Sequence, residues 1–67
     1  NEFNFVPGDV INFCGDLLFV IENNGDTGTV CPVGESFYYR NFYWEISHAK
    51  CIFVRKPTPL ELEQLGL

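Results

Sequence analysis

Basic residues and long apolar runs are scarce in this sequence of 67 residues. Four lysines and arginines stand against nine aspartates and glutamates, which gives a formal net charge of −5. A general nucleic-acid binder carries a basic excess, so this balance disfavours that class of protein. The longest apolar run, from Leu17 to Ile21, is far shorter than the roughly 20 residues that cross a bilayer. We therefore expect no membrane-spanning segment and no membrane partner.

Signatures of catalysis and of secretion are also missing. The sequence has no glycine-rich phosphate loop, no HExxH and no GxSxG. The one histidine, His48, lies three residues before Cys51, but nothing in the pattern marks that thiol as an activated nucleophile. Residues 1–5 hold no basic residue followed by an apolar stretch, so we expect no signal peptide there. The chain is predicted not to be an enzyme.

The three cysteines, Cys14, Cys31 and Cys51, are odd in number and widely spaced. A disulfide framework uses an even set, so the pattern favours reduced thiols packed as small hydrophobes in a cytoplasmic protein. Together with His48 the cysteines are the residue types of a Cys₃His zinc site. Only His48 and Cys51 form a close pair in sequence, and whether a barrel brings all four together stays open. We predict no metal and no other cofactor.

Short apolar runs broken by glycine, asparagine, aspartate and proline predict an all-β fold. The composition, 46 % hydrophobic and 16 % aromatic, is too apolar for a disordered chain, and the length fits one domain over residues 1–67. Asn23 to Asp26 is the strongest turn signal, and Gly28 lets a neighbour come close. The five predicted strands are residues 10–13, 17–22, 27–31, 37–46 and 51–55.

The C-terminal segment changes to a helical pattern over about residues 58–65. Thr58 and Glu61 have the spacing of a capping box, Pro59 stands at the first helical position, and Gly66 ends the helix. Leu62 and Leu65 fall on one face of this helix. A helix this short is not stable alone, so we expect that face to dock over an open end of the barrel.

Three stretches carry a resemblance to a known fold: Pro7-Gly8-Asp9-Val10-Ile11 with Gly15, Leu18-Phe19-Val20, and Asn24-Gly25-Asp26-Thr27-Gly28-Thr29-Val30. This order of turns and strands, over about residues 7–55, resembles the SH3-like barrels, above all the KOW and Tudor branches. The resemblance implies a small five-stranded SH3-like barrel that binds RNA, DNA, peptides or modified side chains. The lack of bases in the first half departs from the KOW pattern and disfavours RNA or ribosome binding. A short acidic chain of this kind is also similar to accessory proteins of phages and prophages.

Aromatic residues are concentrated in residues 37–44, where six of eight positions are aromatic. A strand alternates its faces, so inward Phe42, Trp44 and Ile46 imply outward Tyr43. A kink at Arg40-Asn41 leaves the parity upstream open, and Tyr38 and Tyr39 cannot share a face. We expect Phe37, Phe42 and Trp44 in the core. Tyr43 and at least one of the other two tyrosines are expected at the surface, where tyrosine is a good binding anchor.

Charged residues are also distributed unevenly along the chain, and all four bases lie in the segment that holds the aromatic cluster. Residues 1–35 hold six acids and no base, whereas residues 36–57 hold four bases and one acid. We predict a small non-enzymatic binding or adaptor module that engages a protein or peptide partner through an aromatic patch and an acidic surface. The predicted contact residues are Tyr38, Tyr39, Arg40, Tyr43 and Trp44. The alternative is a nucleic-acid-binding barrel that uses residues 37–56, with phosphates on Arg40, Arg55 and Lys56. The oligomeric state stays open.

Overall fold

Seven strands and one short helix make up the described chain, residues 3–67 of this computed structural model. The elements are β1 (Val10–Phe13), β2 (Asp16–Asn23), β3 (Thr27–Pro32), β4 (Tyr39–Tyr43), β5 (Glu45–Ile46), β6 (Ala49–Lys50), β7 (Ile52–Arg55) and α1 (Pro59–Leu65). Five strands form one antiparallel sheet in the order β4-β3-β2-β1-β7. The Cα radius of gyration, 10.9 Å, equals the roughly 11 Å expected for a compact chain of this length. The predicted all-β fold with a C-terminal helix is confirmed.

Tight turns join the first three strands, as the sequence predicts. Cys14 and Gly15 connect β1 to β2, and both have positive φ (53° and 91°), which a two-residue hairpin of type I′ requires. The Gly15 N–H donates to the Asn12 side chain at 3.0 Å and holds this turn closed. Between β2 and β3, the Asn24 N–H donates to the Thr27 carbonyl at 2.8 Å.

The predicted strand over residues 37–46 is interrupted in the structure. Asn41 has a φ of 55°, and the register between β3 and β4 shifts beside it, so the expected kink at Arg40-Asn41 is a β-bulge. The chain leaves the sheet at Trp44, and Glu45–Ile46 pairs with Ala49–Lys50 as a separate hairpin. The predicted turn over residues 47–50 is therefore confined to two residues, and Ile46, expected inward, is exposed.

Both faces of the main sheet are buried at its centre, in β1 to β3, whereas the edge strand β7 is exposed. Successive residues of a strand point to opposite faces, and in β1 both Val10 and Ile11 are fully buried. One face carries the cluster of Ile11, Leu18, Val20, Val30, Trp44 and Cys51. The opposite face carries Val10, Phe19 and Cys31, with Ile21 and Leu65 packed against them. Trp44, predicted as core, is the largest side chain with no exposed surface.

An N-terminal strap, residues 3–6, covers Trp44. The rings of Phe5 and Trp44 meet edge to face, with centroids 5.3 Å apart. Asn23 ties the strap to the core: its amide nitrogen donates to the Phe3 and Phe5 carbonyls at 3.0 and 2.9 Å. Its amide oxygen accepts from the Trp44 indole N–H at 3.1 Å and from the Gly25 N–H at 3.0 Å. One side chain thereby joins three segments of the chain.

The helix α1 has the termini that the sequence predicts. Thr58 and Glu61 form a reciprocal capping box, and Gly66 ends the helix with a φ of 74°. Its position is different, because Leu65 packs on the second face of the sheet rather than over a barrel end. That face holds Phe19, which is buried. No helix within residues 3–67 is long and apolar enough to cross a membrane.

The attachment of α1 is expected to weaken in acid. Glu61 accepts two hydrogen bonds from Arg55, at 2.8 and 2.9 Å. These bonds, and after them the Thr58 backbone N–H, lower the pKa of Glu61 to about 2 from an ordinary value of 4.5. A carboxyl with a lowered pKa stabilises the fold above its ordinary pKa, and this contribution is lost as the pH falls toward 2.

Glu61→Gln is therefore expected to lower the thermal midpoint at pH 7 and to lose this effect near pH 2. The measurement is a series of thermal melts between those pH values. Glu63→Gln is the control, since Glu63 lies on the same helix and forms no ion pair in residues 3–67. Identical pH profiles for the two variants would contradict the role given to Glu61.

Candidate functional site

The five predicted contact residues do not line one groove. Tyr39 lines one groove, of about 540 Å³, and Tyr43 lines a smaller one, of about 210 Å³. Tyr38 and Arg40 are exposed and line neither. Trp44 is 0 % exposed, so its place among the contact residues is corrected: it presents no surface to a partner and supports the strap from beneath.

The groove lined by Tyr39, which we call the aromatic groove, has a volume of about 540 Å³. It is built from the start of β2, the end of β3 and the segment that leads into β4. Its lining residues are Gly15, Asp16, Leu17, Leu18, Pro32, Val33, Glu35, Phe37 and Tyr39. Buried Leu18 belongs to the core, and Leu17 and Val33 are exposed apolar side chains. The groove therefore combines an apolar surface with two carboxylates.

Two aromatic rings stand in the groove with about half of their surface exposed. Phe37 and Tyr39 are 46 % and 49 % exposed, and their rings meet edge to face with centroids 5.4 Å apart. Phe37 was expected in the core; it instead precedes β4, outside the paired strands, where no opposing strand covers it. The Asn41 bulge places Tyr39 within 6.4 Å of Phe42, whose ring lies 6.4 Å from that of Trp44. A row of contacting aromatic rings therefore leads from the exposed Phe37 and Tyr39 to the buried Trp44.

Backbone hydrogen bonds fix the segment that follows β3, residues 33–35, along one side of the groove. The Val33 N–H donates to the Leu17 carbonyl at 3.0 Å, which extends the β2–β3 pairing past the end of the strand. The Glu35 N–H donates to the Pro32 carbonyl at 3.1 Å and closes a turn. Beneath this turn, the Cys31 thiol donates to the Glu35 carbonyl at 3.3 Å. The groove is therefore shaped before any ligand arrives.

The charges of the groove are not balanced within the described chain. Asp16 and Glu35 make no ion pair and no side-chain hydrogen bond in residues 3–67, and no base lines the groove. Two of the four bases are engaged elsewhere. Arg55 binds Glu61 at 2.8 Å, and Lys56 binds the buried Asp9 at 2.9 Å.

The cysteines and His48 do not converge. Cys31 and Cys51 are buried in clusters on opposite faces of the sheet, while Cys14 is exposed. In the described part of the chain, no group of three or more histidine, cysteine or carboxylate side chains could hold a metal ion. Burial, and then the nearby Cys14, raise the pKa of the Cys51 thiol to about 11. Nucleophilic attack needs the thiolate, which this shift disfavours at neutral pH.

Most of the aromatic groove escaped prediction from sequence. Of its lining residues only Tyr39 was predicted as a contact residue, because the aromatic pattern of residues 37–44 carries no signal for the ends of β2 and β3 that line the groove beside it. The sequence does carry a signal for two of the lining residues, since Leu17 begins the apolar run within β2 and Val33 directly follows β3. Their meeting depends on the β2–β3 register, which no local pattern specifies.

No protein-family model, no curated protein and no solved structure matches this chain.

Proposed function

We propose that this chain is a small non-enzymatic binding module that engages a protein or peptide partner through the aromatic groove and the acidic surface around it. The observation that carries this proposal is the half-exposed pair Phe37 and Tyr39 in a preformed groove with apolar walls. Aromatic side chains with one free face are the residues that most often anchor protein interfaces. Ordering such a groove costs little on binding, because backbone hydrogen bonds already shape it.

The finer fold assignment belongs to the same proposal. The meander β1 to β4, with β7 returning beside β1, is compatible with a small barrel. We propose that this barrel is SH3-like. A binding role rather than catalysis agrees with the raised pKa of Cys51 and with a single, exposed histidine.

Nucleic-acid binding is the weaker alternative. Of the three bases predicted to hold phosphates, Arg55 and Lys56 form ion pairs within the chain, which leaves Arg40 free of one in residues 3–67. Phosphate contacts would compete with Glu61 and Asp9 for these two bases. We expect no shift in the mobility of a single-stranded oligonucleotide at low salt, where such binding is strongest.

The proposal is tested by affinity purification of the tagged chain from its native cell, with quantification of the proteins that co-purify. Tyr39→Ala removes a ring from the groove and is expected to reduce capture of a specific partner about tenfold, the effect of losing one good anchor residue.

Tyr38→Ala is the matched control. It removes the same atoms from the adjacent position, is exposed to a similar degree, and leaves the groove intact. Selective loss with Tyr39→Ala supports the proposal. Equal capture by both variants and the wild type would exclude the aromatic groove as the binding surface.

A further inference from the structure

We propose that the aromatic groove accepts an arginine side chain from a short basic segment of the partner. This inference rests on the proposed function, since it names the chemistry that the same groove recognises. Its basis is the combination of Asp16 and Glu35 with the rings of Phe37 and Tyr39 in one groove.

The two carboxylates favour a cationic ligand. Neither Asp16 nor Glu35 has a counter-charge within residues 3–67, and none of the chain's four bases lines the groove. A cleft with charges of one sign and low-dielectric walls focuses their field and concentrates ions of the opposite sign. The net charge of −5 acts in the same direction at longer range. A basic segment is therefore the complementary partner, and an acidic or phosphate-rich ligand is repelled.

The two rings favour a flat cation over a compact one. A guanidinium or ammonium group over an exposed aromatic face is attracted by the negative charge of the ring's π system. The guanidinium is planar and weakly hydrated, so it stacks on the ring with less loss of hydration than an ammonium. Its fork of N–H donors also pairs with a carboxylate through two parallel hydrogen bonds. Arginine therefore matches both the rings and the carboxylates, whereas lysine matches them less well.

A second, smaller groove has related chemistry and provides a matched comparison. Its volume is about 210 Å³, and its lining residues are Phe3, Asp26, Tyr43 and Glu45. It also holds two carboxylates, but its volume is less than half that of the aromatic groove. Neutralising its carboxylates changes the net charge of the protein by the same amount and leaves the aromatic groove untouched.

The test is a titration of the full chain against three fluorescently labelled peptides at low ionic strength, followed by anisotropy. The peptides share a glycine–serine frame and carry two arginines, two lysines or two neutral citrullines. We expect the arginine peptide to bind best and the citrulline peptide to bind at least about tenfold more weakly, because citrulline keeps the planar shape without the charge.

Variants of the chain assign the site. Asp16→Asn with Glu35→Gln is expected to weaken the arginine peptide about tenfold, and Tyr39→Ala is expected to weaken it several-fold. Asp26→Asn with Glu45→Gln is expected to leave its affinity within about twofold of the wild type, because rim charges in another groove contribute only long-range attraction. Thermal melts verify that all variants are folded.

Several results would overturn the inference. If both double variants weaken binding equally, the effect is one of net charge alone. If only Asp26→Asn with Glu45→Gln weakens it, the binding site is the smaller groove. Equal binding of the arginine and citrulline peptides, or binding of a single-stranded oligonucleotide in place of the arginine peptide, would also exclude it. If no peptide binds while partner capture still depends on Tyr39, the arginine inference fails and the proposed function stands.

Discussion

Gly28→Ala is expected to lower the free energy of unfolding by about 3 kcal/mol or more, the upper range for overpacking a core. Gly28 lies in β3 between Asn23 of β2 and Phe42 of β4. A β-carbon built on it overlaps the Glu22 carbonyl oxygen and the ring of Trp44. Neither can withdraw easily, because the carbonyl belongs to a paired strand and the indole is fully buried.

Such a loss is large for this chain, since a domain of this length has a total stability of roughly 3–10 kcal/mol. Urea unfolding followed by the fluorescence of Trp44, the one tryptophan, measures it. The control is Gly34→Ala, where the added carbon meets nothing within 4 Å. Gly34 has a φ of 90°, so this control is expected to cost only about 1 kcal/mol of left-handed strain. Equal losses in the two variants would contradict the close packing of Trp44 on β3.

Asn23→Ala is expected to cost about 3 kcal/mol, since it removes four hydrogen bonds at once and leaves partners without replacement. The Trp44 indole N–H loses its acceptor, and the Phe3 and Phe5 carbonyls lose their common donor. The N-terminal strap then loses its hydrogen bonds to Asn23 and keeps those between Val6 and Asp9. We expect the emission of Trp44 to shift to longer wavelength in the native state, because water reaches the indole when the strap opens.

Asn24→Ala is the control for this effect. Asn24 is the next residue, is exposed, and makes one side-chain hydrogen bond, to the Glu22 carboxylate at 3.1 Å. Its loss is expected to cost less than about 1 kcal/mol and to leave the emission unchanged. An Asn23→Ala protein with wild-type emission and stability would show that the strap does not depend on this side chain.

Local signals in the sequence predicted those features that depend on neighbours along the chain. The capping box of Thr58 and Glu61, the turn at Asn23 to Asp26 and the kink at Asn41 each depend on residues a few positions apart, and all three are present. The close approach allowed by Gly28 was also predicted, but not the identity of Trp44 as the neighbour. Misplaced features depend on distant contacts. Phe37 was assigned to the core because aromatic residues are usually buried, yet no strand lies opposite it.

In the candidate site, too, sequence neighbours predicted some residues, whereas others depend on contacts between distant parts of the chain. Tyr39 was predicted as a contact residue because Tyr38 and Tyr39 cannot share a face of a strand, so that at least one of them is exposed; both are. Asp16 and Glu35 were counted only as part of the acidic first half, and their common groove arises where β2 and β3 pair. Two bases of the middle segment, residues 36–57, form ion pairs with carboxylates outside that segment. Lys56 pairs with Asp9, and Arg55 pairs with Glu61. The position of these residues in the sequence therefore suggested more unpaired positive charge, and a more continuous aromatic surface, than the structure has.

By itself the sequence determined the class of fold, the turns, the helix ends and the acidic, aromatic-rich character of the chain. These follow from side-chain periodicity and backbone preferences, which act over a few residues. Only the tertiary structure decided which rings are exposed, which charges are paired and where a groove forms. Those properties depend on strand register and on the side of the sheet that the helix and the strap cover, because a half-buried ring or an unpaired carboxylate is defined by what packs against it.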